Sequence, residues 1–189
     1  MPQPERNRNA LRSQRLIREA LVSLVIDQHR LRPTVAELCR EADVNRSTFY
    51  AHYDNLEDLI DKLFAAYLDG YASWLRDALE HDFLLDPLPQ LTALGAYIEQ
   101  NRRLLDAFMA MGTKNDSGYG FGMAMRTALL PVLGEVDARR LLRFDLITSA
   151  LTSVYFTWYV GSYEGVSLEE VNEAMAAMIT GRHGLGTPA

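Results

Sequence analysis

Apolar residues recur at intervals of three and four along nearly the whole chain, and nowhere does the strict alternation of a half-buried strand take over. Leu16, Ile17, Ala20, Leu21, Leu24 and Val25 mark a first helix, while Arg12, Arg15, Arg18 and Glu19 lie mostly off that stripe. Pro33 marks the expected end of this helix, because proline disfavours helical geometry in the residue before it. Thr34-Val35-Ala36-Glu37 reads as a capping box that opens a short second helix, with Val35, Leu38, Cys39 and Ala42 on one face. Asp43-Val44-Asn45 interrupts it, and Asn45 is placed to cap a very short third helix, Arg46 to His52. A fourth opens at Asp54 and Asn55 with Glu57 and Asp58 in its first turn and runs to about residue 80. Further helical segments are expected at about 89–100, 101–111, 120–133, 137–162 and 167–180, the last behind the capping box Ser167-Leu168-Glu169-Glu170. Residues 112–118 read as the clearest loop. The fold class that follows is all-α, with about nine helices.

Composition narrows the class without naming a function. At 48% hydrophobic and 23% charged residues the chain is neither disordered nor fibrous. One cysteine cannot make an internal disulfide. The most apolar run, Leu146 to Val160, is shorter than the roughly twenty residues a membrane span requires. The N-terminal segment lacks the apolar core of a signal peptide. The expectation is a cytoplasmic protein with no membrane partner.

Charge is divided unevenly. Residues 1–53 hold nine arginines against six acids, a net +3, and residues 54–189 hold ten Lys or Arg against nineteen acids, a net −9, which together give −6. A basic head on an acidic body points to a polyanion that meets the head alone.

Two short helices separated by a three-residue break, behind one long helix, have the form of a helix-turn-helix. In that arrangement the first short helix braces the second, which enters the major groove with its N-terminal residues toward base edges. At 100° per residue Arg46, Ser47, Tyr50 and Ala51 share one arc, while Phe49 and Tyr53 turn inward. The outward arc carries a guanidinium, a hydroxyl and a phenol, groups that contact guanine edges and phosphates.

The segment Thr34-Val35-Ala36-Glu37-Leu38-Cys39-Arg40-Glu41-Ala42-Asp43-Val44-Asn45-Arg46-Ser47-Thr48-Phe49-Tyr50-Ala51-His52-Tyr53 resembles the helix-turn-helix of TetR/AcrR-type transcriptional regulators. The likeness is close over residues 10–65 and beyond them extends only to helical organisation. It implies an N-terminal helix-turn-helix domain at 1–54, a helical effector-binding and dimerisation domain at 55–181 and a flexible tail at 182–189. It also implies that Thr34 and His52 contact phosphate, that Arg46 and Ser47 address bases, and that Thr48 and Tyr50 touch the DNA backbone, with Asn45 and Ala51 in the same surface. Two positions depart from the family pattern. Asp43 stands at the turn glycine, a place Asp tolerates better than most residues. Leu56 stands where a phosphate-contacting lysine is usual, which removes one backbone contact per half-site.

In the body, Tyr97, Phe108, Met111, Phe121, Met125, Tyr155 and Tyr159 are the candidate lining of a largely apolar effector pocket. Helix 138–162 is apolar around much of its circumference and so must be covered on two sides. With the last helix it offers Leu151, Val154, Trp158, Val171, Met175 and Met178 as a candidate homodimer interface. The four histidines are scattered without metal spacing, Cys39 lies on an inner helix face, and no phosphate-binding glycine loop follows a strand. The expectation is therefore a non-enzyme without metal or cofactor: a homodimeric, ligand-responsive repressor binding a double-stranded operator. The alternative is a helical interaction module that keeps the fold and binds a partner protein.

Overall fold

The computed structural model describes residues 4–112 and 118–181, with side chains from 8 to 112 and from 122 to 181. The described residues are helical nearly throughout and contain no strand. The order is α1 (Pro4–Val22), α2 (Val35–Glu41), α3 (Arg46–Tyr50), α4 (Leu56–Glu80), α5 (Leu88–Gln100), α6 (Arg102–Met111), α7 (Gly118–Leu133), α8 (Ala138–Tyr159) and α9 (Leu168–Thr180). Residues 113–117 of the expected loop, the side chain of Phe121 and the tail 182–189 lie outside the described residues.

Helix ends follow local chemistry. α1 widens into a π-helical turn, Ser23–Asp27, and stops short of Pro33. His29 takes a left-handed conformation (φ 55°) and the Arg30 amide donates back to the Leu24 carbonyl at 2.8 Å, which turns the chain out of the helix before the proline acts. Both capping boxes form, Thr34 with Glu37 and Ser167 with Glu170. α3 ends at Tyr50, short of the expected His52.

The chain divides into two compact units, and the cut differs from the expected one after residue 54. One unit holds the chain up to Tyr67 together with α6; the other holds Leu68–Gln100 and α7 to α9. The first half of α4 and all of α6 therefore belong with the head. Three contacts account for this. Arg103 donates to both carboxylate oxygens of Asp27 at 2.6 Å, Arg18 donates to Asn101 at 2.9 Å, and the Phe64 and Phe108 rings meet edge to face at 5.7 Å. None of these pairs is close in sequence.

The second unit is built on α5, α8 and α9. A Cβ on Gly95 of α5 would stand 3.0 Å from the Leu168 side chain, so glycine is what lets these helices approach so closely. The Tyr155 hydroxyl of α8 donates to the Asn172 side-chain oxygen of α9 and lies 3.3 Å from the Leu91 carbonyl of α5, tying all three together. Arg126 of α7 grips Asp145 of α8 through two bonds, at 2.7 and 3.1 Å. Among the described residues no helix is long and apolar enough to cross a membrane.

This packing corrects half of the expected dimer stripe. Leu151, Val171 and Met175 are 1–3% exposed within a single chain, so they are core and cannot also be a free face. Val154 and Trp158 are half-buried, and of the six only Met178 is exposed. The apolar circumference of α8 is explained largely by its contacts with α7 and α9.

Removing the Tyr155 hydroxyl leaves the buried Asn172 oxygen without its donor. Tyr155→Phe is expected to cost about 1–3 kcal/mol, read as a lower urea midpoint with unchanged slope. A loss below a few tenths of a kcal/mol, on the order of measurement error, would show that the hydroxyl does not tie the helices.

Candidate nucleic-acid interface

The head is assembled from the short helices upward. α1, α2 and α3 all touch one another, and Ile17, Leu21, Leu24, Leu38 and Phe49 form their fully buried core. Thr34 caps α2: its Oγ1 accepts the Glu37 amide at 3.2 Å, and the Glu37 carboxylate accepts the Thr34 amide at 2.8 Å. Bonding to the Thr34 amide and hydroxyl, and then the nearby Arg30 and Arg40 charges, holds the Glu37 carboxyl below its ordinary value. Asp43 makes the turn in the left-handed conformation, φ 51°, where the family pattern has glycine.

α3 has five residues, too few to be helical alone. Its start is fixed by Asn45, whose Oδ1 accepts the Thr48 amide (2.7 Å) and the hydroxyls of Ser47 (2.7 Å) and Thr48 (2.8 Å). Its end is fixed by Lys62, which donates to the His52 carbonyl at 2.9 Å and to Asp58 at 2.8 Å. That bond to Lys62 keeps the Asp58 carboxyl below the usual range. Cys39 lies inside, its thiol pushed up by burial and opposed by the Arg46 charge.

The structure brings the eight expected contact residues together around α3 and the start of α2. Thr34, Asn45, Arg46, Ser47, Tyr50 and Ala51 are exposed, and Thr48 and His52 are half-buried. Tyr50 is 55% exposed, its ring edge-on to Phe49 beneath it. Arg46 makes no ion pair or hydrogen bond among the described residues, and the same holds for the exposed Arg12, Arg32 and Arg40 of the head. The hydroxyl protons of Ser47 and Thr48 are taken by Asn45. These two groups therefore face outward as acceptors, and the outward donors are the Asn45 amide nitrogen, Arg46 and Tyr50.

His52 is held by α1. Its Nε2 lies 2.8 Å from Ser13 Oγ, and Ser13 in turn donates to the Ala10 carbonyl at 2.9 Å. Sequence reasoning missed Ser13, which is thirty-nine positions away from its partner, and no local pattern marks such a pair. Lys62 was legible in principle, standing four residues after Asp58 on one helix face.

The expected effector residues are divided between the units. Phe108 and Met111 are buried in the first; Met125 and Tyr155 are buried in the second. Tyr97 is packed on α4, its hydroxyl in the space that a Cβ on Gly70 would occupy. None of the six whose side chains are described lines either of the two cavities described in the second unit. No family model matches the chain, and no curated protein matches it.

Two variants test the construction of α3. Asn45→Ala is expected to lose about 1 kcal/mol of stability, the usual worth of a cap, measured by thermal unfolding; no loss would mean that the Asn45 bonds do not hold the helix. Glu37, whose carboxyl is lowered in the folded state, contributes stability that is fully present above its ordinary pKa of 4.5 and is lost as pH falls through the lowered value. Glu37→Gln keeps an acceptor for the cap and is expected to lose less stability than the parent between about pH 6 and pH 3. Parallel curves for the two proteins would refute that assignment.

Proposed function

We propose that this chain is a sequence-specific DNA-binding transcriptional regulator of the TetR/AcrR type, acting as a homodimeric repressor that a small molecule releases from its operator. The observation that carries the reading is the outward face of α3: an Arg46 without an ion pair or hydrogen bond among the described residues, beside an exposed Tyr50. That helix has its register fixed at both ends, and it stands on a head whose exposed Arg12, Arg32 and Arg40 likewise make no ion pair or side-chain hydrogen bond among the described residues. Arg46 supplies five donors in a planar fork that matches guanine O6 and N7. Tyr50 and the Asn45 amide nitrogen are the groups for phosphates, which set register without reading sequence, whereas the Thr34 amide and hydroxyl are both given to Glu37. Arg12, Arg32 and Arg40 add positive charge that attracts any duplex, and the acidic body repels it.

Two copies are part of this reading. One five-residue helix covers a few base pairs, and two such helices about 34–36 Å apart enter successive major grooves of a palindromic site. A ligand that binds better to a dimer with a different head spacing lowers operator affinity by linkage. The candidate repressor is thus a two-state dimer with the duplex favouring one state and the ligand the other.

The test begins with selection of bound duplexes from random sequence, followed by titration of the selected site at several salt concentrations. Arg46→Ala is expected to lose about 1–3 kcal/mol on the selected duplex and much less on a scrambled one. Affinity is expected to fall as salt rises, with a slope set by the number of phosphate contacts. Equal loss on both duplexes would make Arg46 a backbone contact. Failure to enrich any duplex would reject the regulator in favour of a helical module that binds a protein partner.

A further inference from the structure

The second unit contains an open cleft of about 530 Å³ between the end of α4, the 81–85 turn and the first half of α8. Small-molecule sites commonly fall between about 300 and 1,000 Å³. Its walls are apolar: Trp74, Leu75, Phe83, Ile147 and Leu151 face it, with Trp74 and Phe83 edge to face at 5.9 Å. The polar groups of this wall are already used. The Trp74 indole N–H donates to the Gln90 carbonyl at 2.6 Å, and the Thr148 hydroxyl to the Phe144 carbonyl at 2.8 Å. The interior therefore offers a ligand apolar contact and little else.

The charged groups at the cleft are of a different kind. Arg139, Arg140 and Arg143 line it from the start of α8, and none has an ion pair or side-chain hydrogen bond among the described residues. Arg139 and Arg140 occupy the first turn of α8, which has no acidic residue there, so they stand at the positive end of the helix dipole, where cations are disfavoured. Of the two carboxylates that share the lining, Asp137 is committed to capping α8 through the Arg140 amide at 2.8 Å, and Asp82 pairs with no arginine. The cleft thus has an apolar floor and an excess of cation around it.

We propose that this cleft binds an amphipathic organic anion, an apolar body with one carboxylate, the body against the Trp74–Phe83 wall and the carboxylate on the α8 arginines. Arginine meets a carboxylate through two parallel bonds, which makes it the matching group for such a head. A second copy of this chain is the poorer occupant, because a two-fold contact on this surface brings the same arginine cluster against itself. The binding claim stands on the cleft alone; the claim that such a ligand is the effector rests on the regulator reading above.

Calorimetry of the full chain with dodecanoate, kept below its micelle concentration, tests the site directly. One dodecanoate per chain is expected. Acetate, which has the charge without the body, and dodecyltrimethylammonium, which has the body with the opposite charge, are each expected to bind at least about tenfold more weakly. The surface variant Arg140→Gln/Arg143→Gln is expected to weaken dodecanoate by about tenfold or more, with the thermal midpoint unchanged. In a Trp158→Phe chain Trp74 is the remaining tryptophan. Its fluorescence is expected to be quenched by 12-bromododecanoate. Equal affinity for both head charges, indifference to the arginine substitutions, or unquenched Trp74 would overturn the proposal. So would self-association that disappears with the arginines in the absence of ligand, which assigns the cleft to a second copy. Dodecanoate that binds as described yet leaves duplex affinity unchanged removes the effector role while keeping the site. A failure to bind any duplex removes the regulator and leaves the binding result intact.

Discussion

The burial of Phe49 is the contact on which the candidate interface depends. α3 is one and a half turns long, and a helix that short is not stable on its own hydrogen bonds. Phe49 is its one fully buried residue, set among α1, α2 and α3, and a buried phenylalanine contributes about 1.5–3 kcal/mol. Caps can fix where such a helix starts, but each is worth about 1 kcal/mol, so the anchor has to be the ring. Once Phe49 points inward, helical geometry leaves Arg46, Ser47 and Tyr50 outward. The chemistry presented to a partner is a consequence of which single side chain the head buries.

The same dependence explains why the head is larger than three helices. α1 packs on α2 and α3 with one face, and its opposite end is gripped by α6 through Arg18–Asn101 and Asp27–Arg103. Both oxygens of the Asp27 carboxylate accept from a single nitrogen of the Arg103 guanidinium, a charge-assisted contact. It stands at the π-helical end of α1, where the wider turn changes the direction of the chain ahead of the loop to α2. An element remote in sequence thus completes the compact unit around the helix that bears Ser13 and, through it, His52.

Local signals made the helices legible, and the absence of local signals accounts for what was misread. Thr34, Asn45 and Ser167 cap as their spacing required, because capping is decided within four residues. Asp43 takes the left-handed turn expected of it for the same reason. The cut between units was misplaced because it is set by pairs such as Phe64–Phe108 and Arg103–Asp27, which no periodicity encodes. The dimer stripe was overdrawn because an apolar helix face looks the same whether a neighbouring helix or a second chain covers it; Gly95 and Leu168 supply the neighbour that hides Val171 and Met175. The cleft was missed altogether. Its arginines stand on α8, but its aromatic wall comes from α4 and the following turn, some sixty residues earlier.

The arginines sort themselves by what they have been given to hold. Arg15, Arg18, Arg30, Arg103 and Arg126 each have a side-chain partner within the chain, and all five sit where one element must be fixed or a helix face steadied. Among the described residues Arg46 on α3 and Arg139, Arg140 and Arg143 on α8 have none. Acidic partners are not scarce in a chain with twenty-five Asp and Glu against nineteen Lys and Arg. An unpaired arginine in such a chain is therefore a matter of placement. Surface ion pairs contribute little to stability, so leaving one unmade costs the fold almost nothing, whereas an arginine already paired must give up that partner before it can take another anion. Arg46 and the α8 arginines differ in their setting: Arg46 is on a narrow convex helix suited to a groove, the α8 three beside a concave apolar wall suited to a small amphiphile. Shape, more than charge, separates the two kinds of anion proposed above for this chain.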